Sequence, residues 1–371
     1  MNDKLIGQAL TFDDVVIVPD ISEVPAYETK VTSRLTRNIK LEVPLLSAAM
    51  DTVTEAGMAL ELAKAGGIGI LHRNFSREDQ VKEVVKFRDK VDEDKKSYKR
   101  HYIGAAIGTS NGYLDQVEHL IKAGCDVICI DLAHGSTLWA RKAIMEIKSR
   151  FSEIDLIAGN VATYAGASYL ADAGCDAIKI GIGGGSICTT RVITGVGVPN
   201  ITAIMEAKRA VMSTDIPLII DGGIRYSGDI VKAIVAGADC VMCGSLFAAT
   251  KEAPGELVKG DDGKNYKIYR GMSVKEAMNN RTRDRYYLKE DEKEHTSQGV
   301  TSLVPYKGEV KKIIEVLVGG IQSAMENVGA RDFKELYEKG RFYQVTNAGS
   351  IEGHAHDVKI VKQELNYSKN Q

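Results

Sequence analysis

The sequence predicts an α/β fold that closes as a (β/α)8 (TIM) barrel, and three observations carry that prediction. One phrase recurs: AGCDVICIDLAHG (123–135), AGCDAIKIGIGGG (173–185) and AGADCVMCGS (236–245) each take a helix end into an apolar strand and out through a glycine turn. Eight apolar stretches follow one another with amphipathic stretches between them, at 44–48, 67–71, 102–107, 127–131, 154–159, 177–181, 217–221 and 240–244. Their near-continuous apolar character suits parallel strands covered on both faces. The residues able to do chemistry fall at the C-terminal ends of these strands, where such barrels carry their sites.

The first strand ends in Ala48–Asp51. After the second comes DKVDEDKKSYKR (89–100), read as a short solvated linker. The fourth strand ends at Asp131 and the fifth at Asn160. The sixth runs into GGGSICTTRVI (183–193), a glycine-rich loop holding Cys188. The seventh ends in Asp221-Gly222-Gly223 and the eighth in Gly244-Ser245, with the amphipathic stretch Ser227–Ala236 between them. Beyond the eighth strand a hairpin is expected around Asp262-Gly263, then the phrase YRGMS (269–273). The mixed-charge stretch 279–303 is long for a structureless connection, so it reads as a lid or binding loop. An amphipathic helix over 309–327 closes the barrel, and the tail carries EGHAHD (352–357). The whole chain, 1–371, reads as one catalytic domain.

Composition excludes several classes. An apolar share of 44% is that of an ordinary globular protein, and a formal charge of −2 argues against nucleic-acid or anionic-membrane partners. No apolar run reaches the roughly 20 residues of a membrane span. The start, MNDKLIGQALTFDD, has acids and no apolar core, so a secretory leader is not expected. Six scattered cysteines fit a reducing cytoplasm. Cys240 and Cys243 are three apart on a strand and point to opposite faces; Cys125 and Cys129 would lie roughly 13 Å apart if extended. Both pairs read as small buried hydrophobes rather than metal ligands. His354 and His356 lack further ligands nearby and read as structural.

Cys188 is the candidate nucleophile. The thiolate is the reactive form of cysteine, and surrounding backbone dipoles can favour it. No histidine adjoins it, so a protease-type pair is not read here; Thr190 could donate or relay a proton. The turns at Gly222-Gly223 and Gly244-Ser245, with Ser186, predict a phosphate corner, because loops after the last two strands of many barrels bind phosphate through backbone N–H groups. Asp221 ends an apolar strand and must find donors: ribose hydroxyls, a neighbouring arginine or backbone amides would all serve. Arg285-Tyr286, with Tyr287, hints that the polar stretch docks against something.

At these residues the chain resembles the IMP dehydrogenase / GMP reductase family. The likeness runs from GQALTFDD (7–14) to HAHDV and rests on SAAMDTVTE (47–55), GNV (159–161), GIGGGSICTTR (181–191), GVGVPN (195–200), DGGIRYSGDI (221–230), YRGM (269–272) and VPYKGE (304–309). The resemblance implies that Cys188 adds to C2 of a purine nucleotide. In the dehydrogenase branch C2 passes hydride to NAD and water then hydrolyses a thioimidate to xanthosine monophosphate. In the alternative, reductase branch, GMP loses ammonia and NADPH supplies hydride. Arg285-Tyr286 within 279–303 looks like the dehydrogenase flap that activates water, whereas YRGMSV leans towards reductases.

The resemblance further implies Asp221 on the ribose, and Ser186, Gly222, Gly223, Gly244, Ser245 and Tyr269 on the phosphate. Met50, Gly271, Met272, Ser273 and Gln298 would lie about the base, and Asp131, Ala133, Asn160, Gly181 and Gly183 on the nicotinamide side. A potassium ion would use carbonyls of Gly183, Gly185 and Cys188, with Glu352, Gly353 and His354 of a neighbouring subunit in a homotetramer. Three departures stand out: the paired cystathionine-β-synthase-type regulatory domains are missing where 89–100 sits, Ala48 replaces a serine seen in some members, and Gly184 replaces the commoner proline of GIGPGS, which predicts a looser loop.

Overall fold

A computed structural model describes residues 4–93, 100–278, 283–286 and 296–361, with 365 and 367. Among them, eight parallel strands close a barrel: β1 (Leu45–Ser47), β2 (Ile68–Leu71), β3 (Ile103–Ile107), β4 (Val127–Asp131), β5 (Asp155–Val161), β6 (Ala177–Ile180), β7 (Leu218–Asp221) and β8 (Cys240–Cys243). Neighbours in sequence are neighbours in the sheet, and β8 pairs with β1 to close it, Met242 opposite Leu46. Closure removes every sheet edge. Every expected strand is present, within two residues of its expected ends.

The strands are buried end to end because helices cover them outside and side chains fill the interior. The covering helices include α1 (Ala56–Lys64), α2 (Arg77–Glu93), α3 (Tyr113–Lys122), α4 (Leu138–Arg150), α5 (Tyr164–Ala171), α6 (Asn200–Val211), α7 (Ser227–Ala236) and α8 (Val310–Val328). Threonine hydroxyls start two of them: Thr137 accepts from the Ala140 N–H at 3.2 Å and Thr163 from the Gly166 N–H at 3.1 Å. In α8 the residues Val310, Ile313, Ile314, Leu317, Ile321 and Met325 face inward at helical spacing. Helix and sheet approach closely at Gly69 of β2, where a Cβ would lie 2.5 Å from Ala59 Cα of α1. No described helix is long and apolar enough to cross a membrane.

Two boundaries differ from the sequence reading. Residues 89–93, expected in the linker 89–100, are the last turns of α2, whose Val84 and Phe87 are buried while its acids and lysines face out. The charge run is the outer face of a helix, and charge alone does not separate that from a loop. Residues 94–99 lie outside the described ones. The stretch 279–303 also ends differently: 301–303 belong to β10 (Thr301–Pro305), antiparallel to β9 (Asn265–Arg270), the second strand of the expected hairpin. Mixed exposure along these strands matches a small sheet with one solvated face, which masked the strand signal. Residues 279–282 and 287–295, Tyr287 among them, are not described.

Replacing Gly69 by valine should cost about 1–3 kcal/mol, because the added methyls meet the α1 backbone in a closed core; a lowered urea midpoint with unchanged slope would register it.

Candidate active site

Cys188 sits on a loop whose neck is pinned twice. Ile182 and Val198 form an isolated antiparallel bridge. The Arg191 guanidinium also reaches across, its Nε donating to the Ile182 carbonyl at 3.3 Å and its Nη2 to the Val198 carbonyl. Burial pulls the Arg191 pKa down. Cys188 Sγ lies 3.1 Å from Thr190 Oγ1. Cys188 is half-buried, whereas Cys125, Cys129, Cys175, Cys240 and Cys243 are all buried. Burial pushes the Cys125 and Cys175 thiols up to about 12, so they are inert.

The segment after the polar stretch grips this loop through backbone. Cys188 pairs with Gly299, the Thr189 N–H donates to the Gln298 carbonyl at 2.9 Å, and the Val300 N–H to the Ile187 carbonyl at 3.1 Å. The Gly271 N–H in turn donates to the Val300 carbonyl at 3.0 Å, and the Gln298 N–H to Ser273 Oγ at 2.9 Å. Met272 and Ser273 are buried beside them. Cys188, Gly271, Met272, Ser273 and Gln298 thus converge, although the strands that bring them are far apart in sequence.

The expected phosphate corner is also assembled. Ser186 Oγ lies 3.3 Å from Ser245 Oγ. A Cβ on Gly222 would fall 3.1 Å from the Gly185 nitrogen, so that turn lies directly on the cysteine loop. Gly222 and Gly223 have φ of +89° and +81°, which a side chain would strain. Tyr269 is buried with its hydroxyl over Gly244 and 3.8 Å from Met50 Sδ; burial raises its phenol pKa, keeping it a neutral donor. Arg270, next in sequence, is fixed by a 2.6 Å pair with Asp51.

Asp221 answers the question left open by sequence. Its Oδ2 accepts from the Lys179 ammonium at 2.6 Å and from the Asn160 amide at 3.0 Å. Lys179 is 1% exposed, stands on β6 between Ile178 and Ile180, and also holds Asp131 at 2.9 Å and the Asn160 side-chain oxygen. The Asn160 amide donates to the Gly181 carbonyl at 2.8 Å. Asp131, Asn160, Gly181 and Asp221 are therefore one network around a cation that the sequence reading missed. The available signal was a lone lysine inside a buried strand, AIKI, which burial makes costly unless paired. Gly159 makes room for it: a Cβ there would fall 2.6 Å from Lys179 Cβ.

Arg285 completes this network from above. It lies in a short 3-10 turn, Arg283–Tyr286, with its guanidinium on the Asp131 carboxylate and its carbonyl accepting from the Ala133 N–H at 3.1 Å. Burial lowers the Arg285 pKa, the direction a guanidinium must move to act as a base. Tyr286 packs beside it, its ring centroid 6.0 Å from the guanidinium carbon.

The two halves expected of the potassium site lie apart within one chain. Gly183 and Gly185 adjoin Cys188, but Glu352, Gly353 and His354 lie at the end of a separate helical turn (Asn347–Glu352). There Gly353 and His354 line a cavity of about 340 Å3 with Asp13, Tyr226, Lys232 and Tyr367. His356 bonds only the His354 carbonyl, and among the described residues no group of three His, Cys, Asp or Glu could hold a metal. Gly184 is not left in open space either: the Asn200 side-chain amide fills the position its Cβ would take.

Comparison with known proteins agrees with this geometry. The IMP dehydrogenase / GMP reductase domain family matches residues 9–356. An inosine-5'-monophosphate dehydrogenase of Cryptosporidium parvum is 43% identical, with 100% of both chains covered. Those of Borreliella burgdorferi and Aquifex aeolicus are 40% and 39% identical, covering 96% and 98% of this chain and 99% of each relative. The Aquifex alignment spans 484 positions, so that relative carries residues this chain of 371 lacks.

Native protein should lose one thiol rapidly to iodoacetamide and all six only in denaturant; rapid loss of two or more would contradict the burial described. Lys179→Met should destabilise by about 3–5 kcal/mol, because it strands the Asp221 carboxylate and leaves Asp131 to Arg285 alone, read from the shift in denaturation midpoint.

Proposed function

The chain belongs to the IMP dehydrogenase / GMP reductase family, and from that premise we propose that it oxidises IMP to xanthosine monophosphate with NAD. The observation that carries this reading is Arg285, desolvated and seated on Asp131 beside Tyr286, in a chain whose relatives are IMP dehydrogenases.

IMP would enter with its phosphate on Ser186, Gly222, Gly223, Gly244, Ser245 and Tyr269. Asp221 Oδ1, which has no protein partner among the described residues, is available to a ribose hydroxyl while Oδ2 stays on Lys179. Met50, Gly271, Met272, Ser273 and Gln298 surround the base. The Cys188 sulfur attacks C2, and the hydride on C2 passes to the nicotinamide ring. This leaves a thioimidate between C2 and sulfur. Water then adds to C2, Arg285 takes its proton, and the sulfur departs as thiolate, giving a free enzyme and xanthosine monophosphate. Thr190, against the sulfur, is placed to relay a proton.

Asp131 and Ala133, with Asn160, Gly181 and Gly183, form the nicotinamide side. Arg285 holds Asp131 and the Ala133 N–H in this conformation, so cofactor and flap use the same seat in turn. That order suits the chemistry: hydride transfer needs the cofactor in place and a dry site, and hydrolysis needs a base and water after it has left. The stretch 279–303 is the flap, 89–100 lies where the regulatory domain pair of larger members inserts, and 1–371 forms one catalytic domain.

Potassium suits the carbonyls of Gly183, Gly185 and Cys188, which are hard oxygen donors on one loop. Glu352, Gly353 and His354 would complete the site from a neighbouring copy, which implies the homotetramer. The protein is proposed to work in the cytoplasm.

Mixing enzyme with IMP and NAD should generate NADH fluorescence, faster with potassium; oxidation of NADPH by GMP instead would assign the reductase reaction. Cys188→Ser should abolish either. Arg285→Ala should keep a stoichiometric burst of NADH while steady turnover falls about 10²–10⁴-fold, the usual contribution of a general base, and covalent nucleotide should be visible by intact mass. Normal turnover by that variant would remove the flap from the mechanism.

A further inference from the structure

Asn200 opens α6, two residues beyond the pinned neck of the cysteine loop. It is 2% exposed. Its Nδ2 donates to the Gly222 carbonyl at 2.9 Å. Its Oδ1 is buried with no hydrogen-bond partner and lies against Gly184, on the side where an L residue would carry its Cβ. A Cβ on Gly223 would land on Nδ2 of the same amide. One planar group therefore fills the seam between two glycine turns, Gly184-Gly185 before Cys188 and Gly222-Gly223 after β7.

We infer that Asn200 is a positioning residue that sets the spacing between the cysteine loop and the phosphate turn, with Gly184 present because the Asn200 amide occupies its side-chain space. The inference deepens the proposed function and rests on it for the identity of the nucleotide. The two turns serve the two ends of that nucleotide: one holds phosphate, the other presents sulfur to C2. A spacer between them decides whether a nucleotide seated by its phosphate also brings C2 to Cys188. The hydrogen bond to the Gly222 carbonyl fixes the plane of the Gly222–Gly223 peptide, and so the direction in which the Gly223 N–H points. The unpartnered Oδ1 argues that the position is not optimised for stability alone, since a buried acceptor left unpaired is costly.

The same contact accounts for Gly184. An alanine or proline there would push the amide off Gly222, so Gly184 and Asn200 are a matched pair. Neither can change alone without moving the turn that the other touches.

The test is a double-mutant cycle on the whole enzyme, with KM for IMP, kcat, thermal midpoint and the rate at which IMP protects Cys188 from iodoacetamide measured for each variant. Asn200→Asp keeps the shape and removes the donor. It should raise KM about tenfold, the loss of one well-formed hydrogen bond, with kcat within about threefold and a lowered thermal midpoint, because the new carboxyl is buried without a cation. Gly184→Ala should raise KM to the same extent by displacing the amide. Gly184→Ala with Asn200→Ala should be no worse than Asn200→Ala alone, because the new methyl fills the space vacated; independent sites would multiply to about a hundredfold.

Wild-type KM in Asn200→Asp and Gly184→Ala, or a multiplicative double variant, would overturn the inference. Should Asn200→Ala fail to fold, Asn200→Asp and Gly184→Ala decide alone. Protection of Cys188 by IMP needs no turnover, so a wild type that binds IMP but does not oxidise it would sink the proposed reaction while the spacer is still scored.

Discussion

A single buried ammonium, Lys179 at the mouth of the barrel, is the constraint on which the site depends. It is enclosed by Asp131, Asp221 and Asn160, residues from β4, β7 and the end of β5. An isolated charge there would be untenable, and so would two carboxylates without a cation. The three strands must therefore present their C-terminal ends together or not at all. Because one ammonium serves both carboxylates, the group proposed to hold the ribose and the group that receives Arg285 share a common counter-charge.

That sharing gives the flap its meaning. Arg285 reaches Asp131 from a segment more than a hundred residues along the chain, and its own desolvation lowers its proton affinity. Gly299, two residues before β10, is meanwhile bridged to the backbone of Cys188. Nucleophile and proposed base thus hang from the two ends of one segment: the base on the charge network, the base of the flap on the sulfur's loop. The grip on the cysteine loop is backbone pairing by residues 298–300, apart from Arg285.

Glycine is used here for proximity as well as for turns. At Gly222 and Gly223 positive φ demands it, while at Gly184 and Gly69 the demand comes from a neighbour's atoms. A sequence displays both kinds identically. Gly184, read as a loosening substitution, also leaves the space that a side chain sixteen residues later fills.

What the sequence by itself determined was the barrel and the addresses of its chemistry. Eight apolar stretches separated by amphipathic ones leave few topologies, and parallel closure sends every strand end to one face, so Cys188, Asp131, Asn160 and Asp221 were legible as neighbours before any coordinate. Motif phrases supplied the family because they are local strings. Tertiary structure alone decided the partners. That Asp221 meets a lysine rather than an arginine, that Arg285 sits on Asp131, that 89–93 finish a helix and 301–303 a strand, all depend on through-space distances and on which face of an element finds cover. Periodicity cannot encode these for charged, half-exposed segments, because a solvated loop, a helix exterior and an edge strand tolerate the same side chains.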